Sequence, residues 1–301
     1  MTGPAPSDPP IRGHWGSKAG LALLRGLARL PLPVLRALGG VLGTMAWWLA
    51  RPRRHVTLVN LRMCFPAMPE AQRRRIGHEH FRWFMRSILE RFIVWECPPE
   101  RLRALVRLEN EDILQAHLHR PLIILVPHFV GLDACGMRLA FIMPWVTVYQ
   151  RQKNPVLERA IRDRRTRQFG TPIGRDDVRA MLRALRRNEV VWYAFDQNYR
   201  RKHRVFAPFF GVPAATNTAT SRLAQTTGAA VVPFYTRRLP GTCRYVQRID
   251  PALEDFPGDD AEADAARLNA LIEGWVREAP EQYLWTHRRF RTRPRGEPKF
   301  Y

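Results

Sequence analysis

The sequence predicts an α/β protein with a mixed, mostly parallel central sheet flanked by helices and an N-terminal membrane-associated helical segment. From residue 120 onward, short apolar and branched runs alternate with stretches of helical spacing, as in a sheet covered by helices. At 301 residues and 46% hydrophobic content, the chain is long and apolar enough for a large core. The amino-terminal region is apolar but interrupted by arginines and prolines.

The predicted divisions are a loose, Pro- and Gly-rich terminus (1–18), a membrane-inserted or interfacial helical segment (19–55) and one α/β domain (56–301). The longest uninterrupted apolar run, residues 37–50, is shorter than the roughly 20 residues that span a bilayer. Trp47 and Trp48, followed by three arginines, are typical of a membrane interface. A spanning helix and an interfacial helix both stay open.

A strand, a turn and a helix follow one another in residues 121–143, and the rest of the chain is organised around them. Residues 122–126 predict a buried strand, Pro127 ends it, and Gly131 gives room for a tight turn before a helix. His128 and Asp133 lie in that turn and can share a hydrogen bond, which would leave the other ring nitrogen free to take a proton from a hydroxyl. The simpler alternative is a turn histidine beside an aspartate that caps the helix.

The third predicted strand, residues 190–195, also ends in polar residues, Asp196 and Gln197. Ligands of open α/β sheets bind outside the carboxyl ends of strands, so these two residues are candidates for the same site as His128. An aspartate after a strand is more often a cap or turn residue. We expect further strands at 145–149, 229–235 and 244–249, helices at 156–169, 216–227 and 260–279, and a basic, aromatic loop at 198–216.

A helical stripe of apolar residues precedes the central unit. It predicts a core face, and a groove for an apolar chain is the alternative. Its members are Phe81, Phe84, Met85, Ile88, Leu89, Phe92 and Ile93.

The formal net charge is +22, and only four of the basic residues are lysines. Such a surface attracts phosphates, anionic lipid headgroups or an acidic carrier protein. Nucleic acid fits the charge equally well. A polar pair at a strand end and an apolar amino-terminal segment are not explained by nucleic-acid binding, so no nucleic-acid partner is predicted.

The four cysteines form no CxxC pair and no metal-ligand spacing, which indicates free thiols in a reducing compartment. No metal and no cofactor are expected. There is no G-x-S-x-G sequence, so a serine-hydrolase nucleophile is not indicated.

The order of these segments resembles the lipid A late acyltransferases, which add secondary acyl chains during lipopolysaccharide synthesis. The resemblance covers most of the chain. One departure is Asp133, where many members have glutamate; another is Gln150, where the family often has an arginine, so Arg151 receives no role. The matching segments are HVTLVNLRMCFP (55–66), HFVGLD (128–133), EVVWYAFDQNY (189–199), FAPFFGVPAATNT (206–218), GAAVVPF (228–234) and APEQYLWTHRRFRTRP (279–294).

The resemblance implies transfer of a fatty acyl chain from acyl carrier protein to a hydroxyl of a lipid A precursor, at the cytoplasmic face of the bacterial inner membrane. His128 matches the catalytic base and Asp133 its partner carboxylate. Arg165 matches an arginine that binds phosphate or stabilises the oxyanion, Arg175 a nearby basic position, and Asp196 the aspartate of the D-Q/D-H block. These three residues and Gln197 are expected to bind substrate or stabilise the oxyanion. The expected partners are acyl carrier protein, a membrane lipid acceptor and the anionic inner-membrane surface.

The nearest alternative is a lysophospholipid or other lyso-aminolipid O-acyltransferase that uses the same H-x4-D motif. Those enzymes usually carry an F-P-E-G-T-R-like block after the third strand, where this chain has AFDQNYRR. The motif itself does not identify the acceptor, the donor carrier or the acyl-chain length, so these stay open at this point.

Overall fold

The computed structural model of the chain describes residues 13–27, 29–96, 98–169, 172–242 and 244–301, without the side chains of residues 92–96, 164, 165 and 167–169. The helices within these ranges are α1 (Trp15–Leu27), α2 (Leu32–Leu49), α3 (Arg51–Cys64), α4 (Glu70–Glu96), α5 (Pro99–Leu105), α6 (Asp112–Gln115), α7 (Leu132–Leu139), α8 (Pro155–Phe169), α9 (Val178–Arg186), α10 (Ala219–Thr227) and α11 (Ala261–Glu278).

Seven strands of the described chain form one central sheet in the order β1-β9-β8-β2-β5-β3-β4. All neighbouring pairs are parallel except β8 and β9, which are antiparallel. The predicted mixed, mostly parallel sheet flanked by helices is therefore confirmed. The strands are β1 (Val106–Glu109), β2 (Leu122–Val126), β3 (Trp145–Tyr149), β4 (Ile173–Gly174), β5 (Val190–Ala194), β6 (Arg204–Phe209), β7 (Val212–Asn217), β8 (Ala230–Arg238) and β9 (Tyr245–Ile249).

Strand β2 lies between β8 and β5, and every one of its residues is buried. Ile123 and Leu125 face one core layer, whereas Leu122, Ile124 and Val126 face the other. A parallel strand covered on both faces reads as a continuous apolar run rather than as an alternating pattern. This explains why the run at 122–126 marks the centre of the sheet.

The segment predicted as a basic, aromatic loop contains a β-hairpin, which corrects that prediction. Strands β6 and β7 pair antiparallel, and residues 210 and 211 connect them with positive φ angles of 51° and 75°. Thr216 and Asn217 belong to β7, so the helix expected from residue 216 begins at Ala219. The cause is the two-residue turn at Phe210 and Gly211, since glycine adopts a positive φ without strain and allows a tight hairpin.

Helix α2 packs along α4 at close range. A Cβ added to Gly39 would lie 2.7 Å from the Cα of Arg86, and one added to Gly43 would clash with the backbone of Arg82. Within the described residues, α2 is the one helix that is long and apolar enough to cross a membrane. The predicted divisions after residues 18 and 55 fall inside α1 and α3, so they do not coincide with helix ends. The membrane role of this segment stays a prediction here.

Candidate active site

The turn after β2 is fixed by Gly131 and by the carboxyl-terminal segment of the chain. Gly131 has a φ of 91°, and a Cβ at this position would clash with the ring of Tyr245, so only glycine fits. The Val130 amide donates to the carbonyl of Gln282 at 2.9 Å, and the Leu284 amide donates to the carbonyl of His128 at 3.0 Å. These bonds hold the backbone of His128 in place on both sides.

The His128 side chain is bound by Asp196, which follows the neighbouring strand β5. Its Nδ1 lies 2.5 Å from Asp196 Oδ1, and its backbone amide donates to Asp196 Oδ2 at 2.9 Å. Asp196 is 2% exposed at its side chain, whereas the His128 side chain is 27% exposed. A buried carboxylate that accepts from Nδ1–H fixes the imidazole tautomer and leaves Nε2 with its lone pair.

The electrostatics of the pair favour a charged imidazolium. Burial by itself lowers the pKa of His128, but the Asp196 carboxylate, and then Asp133, more than offset this and raise it above its ordinary value. Burial by itself raises the pKa of Asp196, but His128 lowers it below its ordinary value. The arrangement therefore stabilises the imidazolium that forms when Nε2 takes a proton.

The predicted hydrogen bond between His128 and Asp133 is wrong, because Nδ1 is bound by Asp196 instead. Asp133 Oδ2 accepts from Nε of Arg91 on α4 at 2.7 Å, and both side chains are partly exposed. Asp133 lies in the first turn of α7, so five residues of separation bring it near the imidazole without making it the partner. It contributes to the site through its charge, since it raises the pKa of His128.

Gln197 lies at the second ring nitrogen. Its Nε2 is 3.2 Å from Nε2 of His128, close enough to donate to the lone pair that the Asp196 bond leaves there. The structure thus brings both polar residues after β5 to His128. Asp196, predicted to bind substrate, contacts the imidazole instead, and it occupies the place that the sequence predicted for Asp133.

The two predicted arginines have different outcomes. Arg175 lies at the end of the short strand β4, is exposed, and donates from Nη1 to Oε1 of Gln150 at 2.8 Å. It borders the same cavity as His128. Arg165 belongs to α8, and its side chain is outside the described residues, so its role stays a prediction.

His128 borders two cavities of opposite character. One, of about 210 Å³, is largely apolar, and its wall includes Phe84, Phe129, Val130, Leu132 and Leu284. Phe81 and Leu89 of the predicted apolar stripe instead pack with α2, whereas Phe92 and Ile93 have side chains outside the described residues.

The second cavity, of about 430 Å³, is strongly basic. His128 lies on the boundary between the two cavities, so an apolar chain and an anionic group can both approach the same imidazole. The cationic side chains that line this second cavity are Arg53, Arg175, Arg200, Arg201, Arg288 and Arg291.

The carboxyl-terminal segment supplies residues of the site that received no individual role in the sequence analysis. Nε2 of His287 accepts from the Asn198 amide at 2.9 Å, and burial lowers the pKa of His287 to about 4. The buried Arg289 donates to Thr216 Oγ1 and to Asn269 Oδ1. The signal for this segment was the family-like block at 279–294, because periodicity does not single out such residues.

The described cysteines do not act as nucleophiles. Cys64 and Cys135 are buried, and burial raises the pKa of Cys135 to about 12, so its thiol stays protonated at neutral pH. Cys97 and Cys243 lie outside the described residues. In the described part of the chain, no group of three or more His, Cys, Asp or Glu is arranged to hold a metal ion.

Comparison with known proteins identifies the family of the chain. The sequence model of the family described as bacterial lipid A biosynthesis acyltransferase matches residues 10–292. Over 292 residues, the chain is 35% identical to the lipid A biosynthesis lauroyltransferase of Escherichia coli (strain K12), covering 96% of this chain and 95% of that one.

Two further relatives come from the same organism. The palmitoleoyltransferase of lipid A biosynthesis is 35% identical over 291 residues, covering 96% of this chain and 95% of its own length. The myristoyltransferase is 28% identical over 292 residues, covering 96% and 90%. With an imidazole–carboxylate pair between an apolar and a basic cavity, and with a family match over nearly its whole length, this chain belongs to the bacterial lipid A biosynthesis acyltransferases.

Proposed function

We propose that the protein transfers a fatty acyl chain from the thioester of acyl carrier protein to a hydroxyl of a lipid A precursor, with His128 as general base. The observation that carries the proposal is the position of His128, which borders both cavities and whose Nδ1 is held by the buried Asp196. Asp196 replaces Asp133 as the orienting carboxylate in this mechanism.

The proposed reaction has two stages. The acceptor hydroxyl takes the place of the Gln197 amide at Nε2 of His128. Nε2 then takes the hydroxyl proton, and the oxygen attacks the thioester carbon and forms a tetrahedral oxyanion. The C–S bond then breaks, and the imidazolium returns the proton to the departing thiolate. Proton transfer of this kind contributes roughly 10²–10⁴-fold, and one oxyanion donor about 10²–10³-fold. No covalent enzyme intermediate is needed.

The two cavities suit the two ends of the substrates. The apolar cavity accommodates the acyl chain, because its wall is mainly aliphatic and aromatic. The basic cavity binds phosphate, either of the acceptor or of the carrier's prosthetic arm, since guanidinium groups pair with phosphate oxygens. Arg175 and Gln197 are the previously predicted residues that border this cavity, and Arg165 is proposed to act with them.

The charge of the protein supports the proposed donor and location. A net charge of +22 favours an acidic carrier and the anionic, cytoplasmic leaflet of the inner membrane. The relatives are named for lauroyl, palmitoleoyl and myristoyl transfer, so family membership alone does not set the chain length. We expect the dimensions of the apolar cavity to set it.

Mass spectrometry of lipid A from cells with and without the gene tests this proposal. We expect one additional acyl chain in cells that carry the gene, and its mass gives the chain length. His128→Ala should abolish the addition while the protein stays folded, and Arg187→Ala, at an exposed position that lines neither cavity at His128, should leave it intact. Unchanged acylation in the His128→Ala strain would remove the mechanism.

Turnover assays of the purified enzyme with different acyl donors and acceptors test the two proposed substrates separately. We expect turnover with acyl carrier protein thioesters and a lipid A precursor. Preference for acyl coenzyme A would overturn the proposed donor. Preference for a lysophospholipid would overturn the proposed acceptor.

A further inference from the structure

Helix α2 exposes an apolar face. Helices of water-soluble proteins normally present polar residues to solvent. Arg36 is the one charged residue of α2; it is half-buried, and its guanidinium donates to the Thr242 carbonyl at 2.8 Å. The exposed residues of α2 recur at helical spacing in one stripe and are Pro33, Val34, Ala37, Val41, Met45, Trp48 and Leu49.

The opposite face of α2 is fixed to α4 in an antiparallel arrangement. Gly39 meets the backbone of Arg86, Gly43 that of Arg82, and the ring of Trp47 lies 5.4 Å from that of Phe81. The contact is too close for a larger residue at either glycine. Helix α2 is therefore an integral part of the fold along most of its length.

The partner helix α4 carries charges beside α2. Arg82 donates to Glu79 at 2.7 Å, and Nε of Arg86 donates to the carbonyl of Arg36 at 3.1 Å. If α2 crossed a bilayer while packed in this way, α4 would take these charges into the hydrocarbon layer, where ionised side chains are costly. A helix that lies along the surface avoids that cost.

Basic and aromatic groups flank the apolar stripe at its carboxyl end. Arg51 and Arg53 are exposed directly after α2. The guanidinium of Arg54 lies 5.7 Å from the ring of Trp47 and 5.6 Å from that of Trp48. Tryptophan next to arginine is characteristic of the layer of lipid headgroups, where the ring stays at the apolar boundary and the cation reaches phosphate.

We propose that α2 lies in the plane of an anionic bilayer, with its exposed stripe inserted in one leaflet, and does not span the membrane. The proposal rests on the proposed function in that the acceptor is a membrane lipid. Helix α4, which packs against α2, also lines the apolar cavity, through His80, Phe84 and Ser87. Helix α4 then separates α2 from that cavity, and the axes of two packed helices lie about 10 Å apart. An acceptor can therefore reach the site from the membrane.

Depth measurements with nitroxide labels test the orientation. Val34, Val41 and Trp48 are exposed and seven residues apart, so each step advances about 10 Å along the helix axis on nearly the same face. Each is replaced singly by cysteine in the full-length chain carrying Cys97→Ser and Cys243→Ser. The buried Cys64 and Cys135 are retained, and the parent protein measures background labelling. The membranes are vesicles of phosphatidylglycerol and phosphatidylethanolamine.

We expect the three labels to lie at similar depths below the headgroups. A V41C label near the bilayer centre, with V34C and W48C each about 10 Å closer to opposite headgroup layers, would show a spanning helix and overturn the proposal. Water exposure of all three labels in vesicles would overturn it as well. The measurement reports label depth and does not depend on activity. The proposed orientation of α2 can therefore be wrong while the proposed acyl transfer is right, and the reverse also holds.

A pair of matched variants tests whether the stripe contributes to binding. Val41→Glu places a charge on the stripe, whereas Val178→Glu makes the same change at an exposed valine of α9. We expect Val41→Glu to reduce cosedimentation with the vesicles at least tenfold and Val178→Glu to leave it unchanged. Both should keep wild-type turnover on detergent-dispersed acceptor and wild-type melting curves. Equal vesicle binding by the two variants would contradict the proposed surface.

Discussion

Asp133 and Asp196 are two carboxylates near one imidazole, and they differ in almost every respect. Asp133 is five residues from His128, 29% exposed at its side chain, and paired with Arg91. Asp196 is 68 residues away, 2% exposed, and bound to both the ring and the backbone amide of His128. Asp133 is close to His128 in the sequence but does not bind it. Asp196 is far away in the sequence and binds it, because the two residues follow neighbouring strands of the sheet.

The register of the sheet explains the difference. Val126 at the end of β2 is paired with Ala194 at the end of β5, so His128 and Asp196 each follow by two residues and meet. Parallel neighbouring strands end at the same edge, where their following residues converge. Asp133 has instead entered α7, and its side chain is directed to α4.

Replacing Asp196 is expected to have the largest effect on turnover and therefore tests the comparison most directly. Asp196→Asn removes the charge that stabilises the imidazolium. It also leaves one acceptor oxygen for the two donors of His128, the ring Nδ1–H and the backbone amide, so the tautomer is no longer fixed. We therefore expect kcat to fall by roughly 10²–10⁴-fold. Steady-state rates with a dispersed lipid A precursor measure this, and thermal melting verifies that the variant folds. A variant that retains near wild-type kcat would show that the buried carboxylate does not serve the base.

The pH dependence of kcat/KM should also distinguish the two carboxylates, although the expected effect is smaller than the loss of kcat in Asp196→Asn. Neutral His128 is the base and its pKa is raised above the ordinary value of 6.5, so kcat/KM should fall as the pH drops through that raised pKa. Asp196→Asn removes a large contribution that opposes burial, so the acidic limb should move to lower pH. Asp133→Asn should move it in the same direction but less. If the acidic limb does not move in either variant, a group other than His128 is responsible for it.

Replacing Asp133 should give the smallest effect on turnover. We expect Asp133→Asn to change kcat by less than about tenfold, because its loss removes a nearby charge and not the hydrogen bond to the base. The exposed pair with Arg91 is worth about 0–1 kcal/mol, so the free energy of unfolding should change by no more than that. A loss of kcat as large as that of Asp196→Asn would reverse the comparison and restore the partner predicted from the sequence.

Much of the sheet could be predicted from apolar runs, because buried parallel strands have continuous apolar sequences. Strands β2, β3, β5, β8 and β9 match their predictions to within a few residues. Strands β6 and β7 were missed because basic and aromatic residues obscure the alternation expected of a hairpin. The short strands β1 and β4 were missed because two to four residues carry too little pattern.

The sequence predicted which residues lie at the candidate site, but not which of them bind one another. His128, Asp196 and Gln197 were each marked by following a buried strand, and all three meet in the structure. What the sequence did not show was which carboxylate binds the imidazole. It also did not show that Arg91, from a helix some forty residues before the motif, takes the other one.

The sequence by itself determined the fold class, the turn that carries His128, and a family resemblance specific enough to indicate the chemistry. These depend on local pattern: apolar runs, a glycine that the turn requires, and contiguous blocks of residues. Only the tertiary structure decided the partner of the imidazole and the close contact of α2 with α4. Both depend on strand register and helix packing, and these are set by contacts between residues far apart in the chain.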